Sequence, residues 1–393
     1  MSNKDSREIC GACGTSPVNH HLLLILNLLE ETFGRINNKI FNFTNTGIWL
    51  KISSAVEKIL FNLLSFIGII RFNTDSKKVV TGRSELIWEE AKRRSIQMEQ
   101  IIIFNRPIEY YRAKINGKFF YFESLPIPPD LPKNGYLWID DKFTLFKKLK
   151  DANIPAPYTE KPLTINGAKK AFRSMRAPVI VKPKNGSRGR HTTTNIQNES
   201  ELIKAIKIVR KITLFPVIQE HLVGSVYRAT VINNKLVGFY RADPPEVIGD
   251  GIRTIRELIE EKNSTRHERL SDILINDDLN FFLSRQSYKI NDIPKKGSIV
   301  PLSAKTGRMY GGYTKEMLPE IHPKIHSIFE KAGEIVNAPV VGFDLIIEKP
   351  AEDPDTQRWG IIECNSLPFI DLHYLPLEGT PINLAKNVWD LWN

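Results

Sequence analysis

The sequence predicts an α+β protein in which antiparallel hairpins alternate with amphipathic helices. Asn116-Gly117 and Asn233-Asn234 each separate two apolar runs, which is typical of β-hairpins. Helix signals lie between such runs, for example the Thr254-Ile-Arg-Glu257 capping box. The sequence contains neither G-x-x-x-x-G-K-[S/T] nor G-x-G-x-x-G after a strand, so it does not support a P-loop or a Rossmann dinucleotide fold.

Composition and charge exclude several classes of protein. The 393 residues are 25% charged and 41% apolar, which suits more than one hydrophobic core and excludes a mostly disordered or collagen-like chain. The formal net charge is +11, but no run of five or six Lys and Arg residues occurs. A nucleic-acid partner is therefore not expected, whereas a diffuse positive field suits small anionic ligands such as nucleotides.

The three cysteines do not indicate a disulfide or zinc framework. Cys10 and Cys13 have CxxC spacing, but no second pair of ligands follows them, and Cys364 lies far away. The N-terminus lacks an apolar segment of the secretory kind, and the apolar stretch 53–70 is interrupted by charges. We expect a cytoplasmic protein that does not bind a membrane.

Residues 1–135 are expected to form a mainly helical N-terminal region with one hairpin. Helices are predicted at His21–Phe33, Ser54–Ile70 and Ser84–Met98, the last with Ser84 as its N-cap. A hairpin is predicted at 108–124, around Asn116-Gly117. The prolines between 126 and 132 then interrupt regular structure, which predicts a domain boundary there. The expected role of the region is a scaffold or a dimer surface, and a homo-oligomer is left open.

Residues 136–393 are expected to form a second domain of mixed helices and strands. Helices are predicted at 141–152, 166–176, 198–210, 254–263, 266–275, 277–286, 322–337 and 381–392. Strands are predicted at 178–183, 192–196, 216–221, 226–232, 236–241, 340–347 and 360–365.

Two segments of this domain suit a nucleotide phosphate and its metal ion. Lys182 ends a buried strand and precedes the basic, Gly-rich loop 185–191, whose backbone amides can close on phosphate oxygens. Asp344, Glu363 and Asn365 place oxygen ligands of the kind preferred by Mg²⁺ in two apolar strands. The alternatives are a solvated basic turn for the loop and, for Glu363, a structural ion pair with a buried Arg or Lys.

These segments, in this order, resemble the ATP-grasp superfamily, and more closely the ATP-grasp domain of cyanophycin synthetase-like carboxylate–amine ligases. The most specific match runs from Arg241-Ala-Asp-Pro-Pro to Gly249-Asp-Gly251 and Thr254-Ile-Arg-Glu-Leu258. Further matches are Gly311-Gly312-Tyr-Thr314 and Glu363-Cys-Asn365-Ser-Leu-Pro368. The resemblance covers about residues 136–393 and implies an ATP-grasp fold, in which two α+β subdomains grip ATP.

The resemblance also implies roles for individual residues. It implies that ATP is held by Lys142, Lys182, Gly186, Ser187, Arg188, Gly189, Glu220 and Leu222, the last two at the adenine hinge. Asp344, Glu363 and Asn365 match the ligands of Mg²⁺, for which Mn²⁺ is an alternative. Arg228 and Arg241 match arginines near the reacting centre.

The implied activity is an ADP-forming ligation of amino acids or peptides through an acyl phosphate. Val226 stands where the family usually has an acidic residue that contacts the ribose, and this departure favours the alternative of a nucleotide-binding or regulatory module without turnover. The sequence does not identify the acid or the amine.

Overall fold

The computed structural model describes residues 19–21, 23–25, 61, 63–131, 139, 142–183 and 191–393. Most of the predicted helix His21–Phe33 lies outside these residues, as does the loop 185–190. Of the predicted helix Ser54–Ile70, residues 61 and 63–66 are helical, but residues 67–69 form a turn and a bend and Ile70 begins a strand, so the helix ends earlier than expected. In the described part of the chain, no helix is both long enough and apolar enough to cross a bilayer.

Fifteen strands and eight α-helices are used below. The strands are β1 (Ile70–Asn73), β2 (Gln97–Ile103), β3 (Arg106–Ile115), β4 (Lys118–Glu123), β5 (Thr159–Glu160), β6 (Val179–Pro183), β7 (Thr193–Ile196), β8 (Pro216–Glu220), β9 (Ser225–Ile232), β10 (Lys235–Ala242), β11 (Glu246–Ile248), β12 (Ile299–Pro301), β13 (Thr314–Glu316), β14 (Val340–Ile347) and β15 (Gly360–Asn365). The helices are α1 (Gly82–Arg93), α2 (Lys142–Asp151), α3 (Ile165–Ser174), α4 (Glu199–Val209), α5 (Ile255–Thr265), α6 (Asp277–Ser284), α7 (Pro323–Val336) and α8 (Leu384–Trp389).

The central sheet has five antiparallel strands in the order β13-β10-β9-β14-β15. Alternate side chains of a strand point to opposite faces, so each strand divides its residues between two environments. Tyr227, Phe239 and Phe343 lie on the face that packs into the main hydrophobic core with α2 and α7. Arg228 and Asp344 lie on the other face, which we call the polar face of the central sheet.

A second antiparallel sheet has the order β5-β8-β6-β7. Its inner face, which includes Val179, Val181 and Ile218, packs against α3 and α4. Lys182 alternates with these valines along β6 and therefore lies on the face turned away from the helices.

The chain between the central strands β10 and β13 forms a small unit of its own. The two-stranded sheet β11-β12 packs with α5 and α6 around a separate apolar cluster. The predicted capping box is confirmed, because the Thr254 side chain accepts from the Glu257 backbone and Glu257 accepts from that of Thr254. The helix predicted at 266–275 is absent, since those residues form turns and extended chain.

The N-terminal region contains more sheet than the sequence indicated. The predicted hairpin is confirmed as β3 and β4, with positive φ at Asn116 and Gly117. It belongs to a four-stranded sheet, β1-β2-β3-β4, of which β1 and β2 were not predicted. The expectation of a mainly helical region is therefore wrong for residues 70–124.

The predicted helix Ser84–Met98 is shorter and begins earlier than expected. Thr81, not Ser84, is the N-cap, since its side chain accepts from the backbone of Ser84. The helix ends at Arg93, and Ser95 then takes a positive φ that turns the chain into β2. Leu86 and Trp88 of this helix share a core with Trp389 and Val388 of α8. The N-terminal region and the C-terminal end of the chain thus pack into one hydrophobic cluster.

A buried polar network ties β13, β9 and the segment after β15 together. Glu316 Oε2 lies 2.6 Å from His373 Nδ1, and His373 Nε2 lies 2.8 Å from the hydroxyl of Thr230. Glu316 Oε1 accepts the backbone N–H of Phe239 at 2.8 Å. The glutamate is 1% exposed and the histidine 0% exposed, so neither can exchange its partner for water without local opening.

Candidate functional site

A row of charged side chains crosses the polar face of the central sheet. The register pairs Arg228 of β9 with Asp344 of β14, and Asp344 with Glu363 of β15. Directly opposed residues of antiparallel strands share a face, so the two carboxylates are neighbours. Asn365 lies two residues after Glu363 and therefore on the same face. The structure brings these three predicted oxygen ligands together.

Arg228 and Asp344 form a bidentate ion pair at the centre of this row. Arg228 Nε lies 2.5 Å from Asp344 Oδ1, and its Nη2 lies 3.0 Å from Oδ2. Burial opposes the charge of Arg228, but the Asp344 carboxylate outweighs burial and raises the pKa of Arg228. The arginine therefore provides a fixed positive charge beside the carboxylates. Asp344 is thus held in an ion pair with Arg228, and the negative charge of Glu363 also favours the charged form of this arginine.

The segment after β15 approaches this row closely. Asn365 Nδ2 donates to Asp344 Oδ2 at 3.3 Å. Gly342 faces Asn365 across the strands, and a Cβ atom there would lie 2.7 Å from Pro368 Cβ and 3.0 Å from Arg228 Nη1. Glycine at 342 is thus required by close packing, since any side chain would displace the arginine or the proline.

The side-chain oxygens of Asp344, Glu363 and Asn365 suit a hard divalent cation that also binds phosphate. Mg²⁺ usually takes one or two carboxylates from the protein and completes its shell with water and substrate phosphates. Asp344, Glu363 and Asn365 offer two carboxylates and one amide, which fits that pattern. Within the described ranges no group of three or more His, Cys, Asp or Glu residues is placed to hold a metal ion, so an all-protein cage is not found there.

On the second sheet, Lys182 is held in position by a neighbouring glutamine. Lys182 Nζ donates to Gln219 Oε1 at 2.7 Å, and Gln219 Nε2 donates to the Thr159 hydroxyl at 2.8 Å. Gln219 is 2% exposed, which fixes its rotamer. Lys142 begins α2, but its side chain lies outside the described residues, as do Gly186, Ser187, Arg188 and Gly189. Their predicted contacts with ATP stay predictions.

We expect Gln219→Ala to raise KM for ATP by about three- to tenfold with a smaller change in kcat, because the Lys182 ammonium loses the acceptor that orients it. Steady-state kinetics with varied ATP measures this effect. Gln219→Glu keeps an acceptor for Lys182 but neutralises the charge of that lysine and loses the amide that donates to Thr159, so it is expected to raise KM at least as much as the alanine variant. An unchanged KM in the alanine variant would contradict a positioning role for Gln219.

The predicted hinge residues differ in what they can offer a nucleotide. The Glu220 carboxylate is engaged within the fold, with Oε2 3.3 Å from Arg358 Nη2 and Oε1 accepting the backbone N–H of Arg176 at 3.2 Å. Leu222 is a buried apolar residue. If this strand end contacts adenine, as the resemblance implies, backbone groups or the leucine side chain must make the contact.

Arg241 does not join Arg228. The register pairs Arg241 with Tyr227, which lies on the core face of the central sheet, so the two arginines leave the sheet on opposite sides. Arg241 Nε lies 2.8 Å from Asp243 Oδ2, and its guanidinium lies over the Tyr313 ring. A catalytic role for Arg241 stays a prediction that this placement does not favour.

Sequence reasoning missed several polar residues around the site. Gln219 is one of them, and its alternation with the buried Ile218 along β8 is the local signal that could have placed it on the face of Lys182. Arg83 of the N-terminal region donates to the backbone carbonyl of Leu367 and, at 2.6 Å, to the Ser124 hydroxyl. No local signal shows this contact, because almost three hundred residues separate Arg83 from Leu367.

Comparisons with known proteins identify proteins that are similar to this chain. Residues 139–239 match the family model described as an ATP-grasp domain. Cyanophycin synthetase of Trichormus variabilis is 28% identical over 272 residues, which are 66% of this chain and 30% of that protein. The glutathione biosynthesis bifunctional protein GshAB of Clostridium perfringens is 28% identical over 264 residues, 65% of this chain and 34% of that protein. The chain thus spans about a third of the length of these relatives.

A solved structure shows the same fold. The bifunctional glutathione synthetase from Pasteurella multocida superposes with a TM-score of 0.58 at 24% sequence identity, over 79% of this chain and 44% of that one. The predicted ATP-grasp fold and the α+β class are therefore confirmed. The resemblance to cyanophycin synthetase-like proteins is confirmed as well.

Proposed function

We propose that this ATP-grasp protein is an ATP-dependent carboxylate–amine ligase that joins amino acids or peptides through an acyl-phosphate intermediate and releases ADP. The observation that carries the proposal is the convergence of Asp344, Glu363 and Asn365 beside the buried guanidinium of Arg228. The relatives named above, a cyanophycin synthetase and a glutathione biosynthesis protein, support the same class of activity.

The residues act by positioning and by electrostatics. In the proposed reaction a substrate carboxylate attacks the γ-phosphorus of ATP, ADP leaves, and an amine then attacks the acyl carbon, releasing phosphate and a proton. Lys182, oriented by Gln219, would bind phosphate oxygens, and Arg228 would stabilise negative charge that develops on the transferred group. A Mg²⁺ ion held by Asp344, Glu363 and Asn365 would screen the charge of the phosphates.

One observation favours the alternative of a nucleotide-binding or regulatory module without turnover. Val226 lies on the polar face between Ala242 and Ile346, its register partners on either side. These three apolar side chains provide no carboxylate for a ribose. The charged row of Arg228, Asp344 and Glu363 would suit a metal-bound nucleotide under either proposal, so it does not separate them.

Turnover distinguishes the two proposals. Purified protein is incubated with ATP, Mg²⁺ and a panel of amino acids and short peptides, and ADP, phosphate and any new amide are measured together. We expect ADP and phosphate to appear in equal amounts with an amide product identified by mass spectrometry. Nucleotide binding without ADP release over the whole panel would support the regulatory alternative. Release of AMP and pyrophosphate would contradict the acyl-phosphate route.

A further inference from the structure

One arginine of the N-terminal region reaches the chain just beyond the proposed metal ligands. Arg83 lies in the first turn of α1 and is 7% exposed. Its Nη1 donates to the backbone carbonyl of Leu367 and lies 3.5 Å from that of Pro368. Since β15 ends at Asn365, both carbonyls lie beyond the strand ladder of the central sheet. The contact therefore joins α1 to residues 366–369, which we call the 366–369 segment.

A polar network of the N-terminal region fixes the other side of the Arg83 guanidinium. Arg83 Nη2 donates to the Ser124 hydroxyl at 2.6 Å and lies 4.0 Å from Glu109 Oε2. The Glu109 carboxylate accepts in turn from the hydroxyls of Ser124 at 3.0 Å and Ser84 at 2.8 Å. Burial lowers the pKa of Arg83, but the charge of Glu109 opposes this change, and an arginine stays protonated in either case. The network therefore holds a charged donor against the carbonyl of Leu367.

Further contacts place the same turn of α1 against this part of the chain. The Arg83 guanidinium lies over the ring of Phe369, 4.8 Å from its centroid. A Cβ atom at Gly82, the residue before Arg83, would lie 3.3 Å from Asp371 Oδ2. Ile370 packs into the hydrophobic cluster that α1 shares with α8. The chain that follows the metal ligands is thus held by the N-terminal region at several successive residues.

The 366–369 segment in turn contacts the charged row of the polar face. Pro368 Cβ and Arg228 Nη1 both lie over Gly342, at 2.7 and 3.0 Å from the position that a Cβ atom would take there. Gly342 is the register partner of Asn365, which directly precedes the segment. A displacement of Leu367 would therefore move both the Asn365 amide and the proline that packs beside Arg228.

We propose that Arg83 is a positioning residue of the metal site, an inference that rests on the proposed ligase function. By holding the carbonyl of Leu367, Arg83 keeps the Asn365 amide beside Asp344, where both can bind the metal ion. Side chains that orient the ligands of a metal ion affect its affinity although they do not touch it. The N-terminal region thus supports the active site and is more than a separate scaffold.

The contribution of the metal ion to nucleotide binding tests this inference without turnover. Isothermal titration of the full chain measures Kd for a non-hydrolysable ATP analogue, once with Mg²⁺ and once with EDTA. The ratio of the two Kd values reports on the metal site, because Lys182 and the rest of the nucleotide site contribute to both. In the wild type we expect Kd to be at least about tenfold lower with Mg²⁺ than with EDTA.

Substitutions of two arginines separate positioning from stability. Arg83→Met removes the donors and is expected to lower the ratio at least about fivefold, while Kd with EDTA changes less than about twofold. The matched control is Arg112→Met, because Arg112 pairs with Glu99 at 2.6 Å entirely within the N-terminal sheet. It is expected to lower thermal stability and to keep the wild-type ratio. If Arg83→Met does not fold, Arg83→Lys is used, which keeps the charge but cannot span both partners and is expected to lower the ratio about threefold.

The outcomes separate the inference from the proposed function. An unchanged ratio in the Arg83 variant would overturn the inference and leave Arg83 as a purely structural residue, with the ligase proposal intact. An equal fall of the ratio in Arg112→Met would overturn it as well, since the effect would then follow from the stability of the N-terminal region. Equal Kd values with Mg²⁺ and with EDTA in the wild type would instead reject the proposed metal site, and this inference with it.

Discussion

Asp344→Asn is expected to reduce ATP turnover at least about 100-fold, because the substitution removes one of the two carboxylates proposed to hold the metal ion. The amide keeps the volume of the side chain and an acceptor for Arg228, but it no longer neutralises the guanidinium charge. Release of ADP under saturating ATP and Mg²⁺ measures the effect, and circular dichroism checks that the variant is folded.

Two further variants make the Asp344 experiment decisive. Glu363→Gln alters the second carboxylate without breaking the Arg228 ion pair, and we expect a loss of similar size. Asp355→Asn is the matched control, because this aspartate is exposed and its carboxylate forms a surface ion pair with Lys324 at 2.7 Å. Full turnover in Asp344→Asn, and in Lys182→Ala as well, would remove both proposed halves of the ATP site.

Glu316→Ala is expected to lower the free energy of unfolding by about 3–5 kcal/mol, since it leaves His373 and the Phe239 amide without their buried acceptor. Because His373 anchors the 3₁₀ helix Ile370–Tyr374, we also expect residues 365–374 to become less ordered. Thermal unfolding followed by circular dichroism, together with hydrogen exchange of residues 365–374, measures the two effects.

Matched variants separate the buried contact from the loss of a charge. Glu316→Gln retains an acceptor and the volume, so a smaller loss of about 1–2 kcal/mol is expected. Glu320→Ala removes an exposed carboxylate that pairs with Lys315 at 2.8 Å and is expected to cost less than about 1 kcal/mol. A loss of stability in Glu316→Ala no larger than that of Glu320→Ala would show that the buried network contributes little.

Local sequence signals were sufficient to predict turns and helix caps whose hydrogen bonds join residues close together in the chain. The Asn116-Gly117 hairpin and the Thr254 capping box formed as predicted, because their hydrogen bonds join residues only a few positions apart. Elements that need a distant partner were missed or misplaced. β1 gains its backbone hydrogen bonds from β2, and the segment 266–275 lies against the turn at Arg308 instead of forming a helix.

In the candidate site, too, some features follow from the local sequence and others depend on distant parts of the chain. The spacing of Glu363 and Asn365 placed them on one face, since two residues separate them along a strand. The opposite faces of Arg228 and Arg241 depend on the register between β9 and β10, which pairs Arg241 with Tyr227. A shift of one residue in that register would exchange the faces, and neither strand's sequence specifies it alone.

The amino-acid sequence by itself determined the fold class of this protein, through the alternation of hairpins and helices and the ordered ATP-grasp motifs, and it identified the candidate oxygen ligands on two late strands. Tertiary structure alone decided which of those residues lie together and that Gln219 accepts a hydrogen bond from Lys182. The physical reason is the distance along the chain over which each kind of interaction acts. Alternation, caps and turns act over a few residues, whereas strand register and the pairing of buried charges depend on groups that the fold brings together from far apart in the chain.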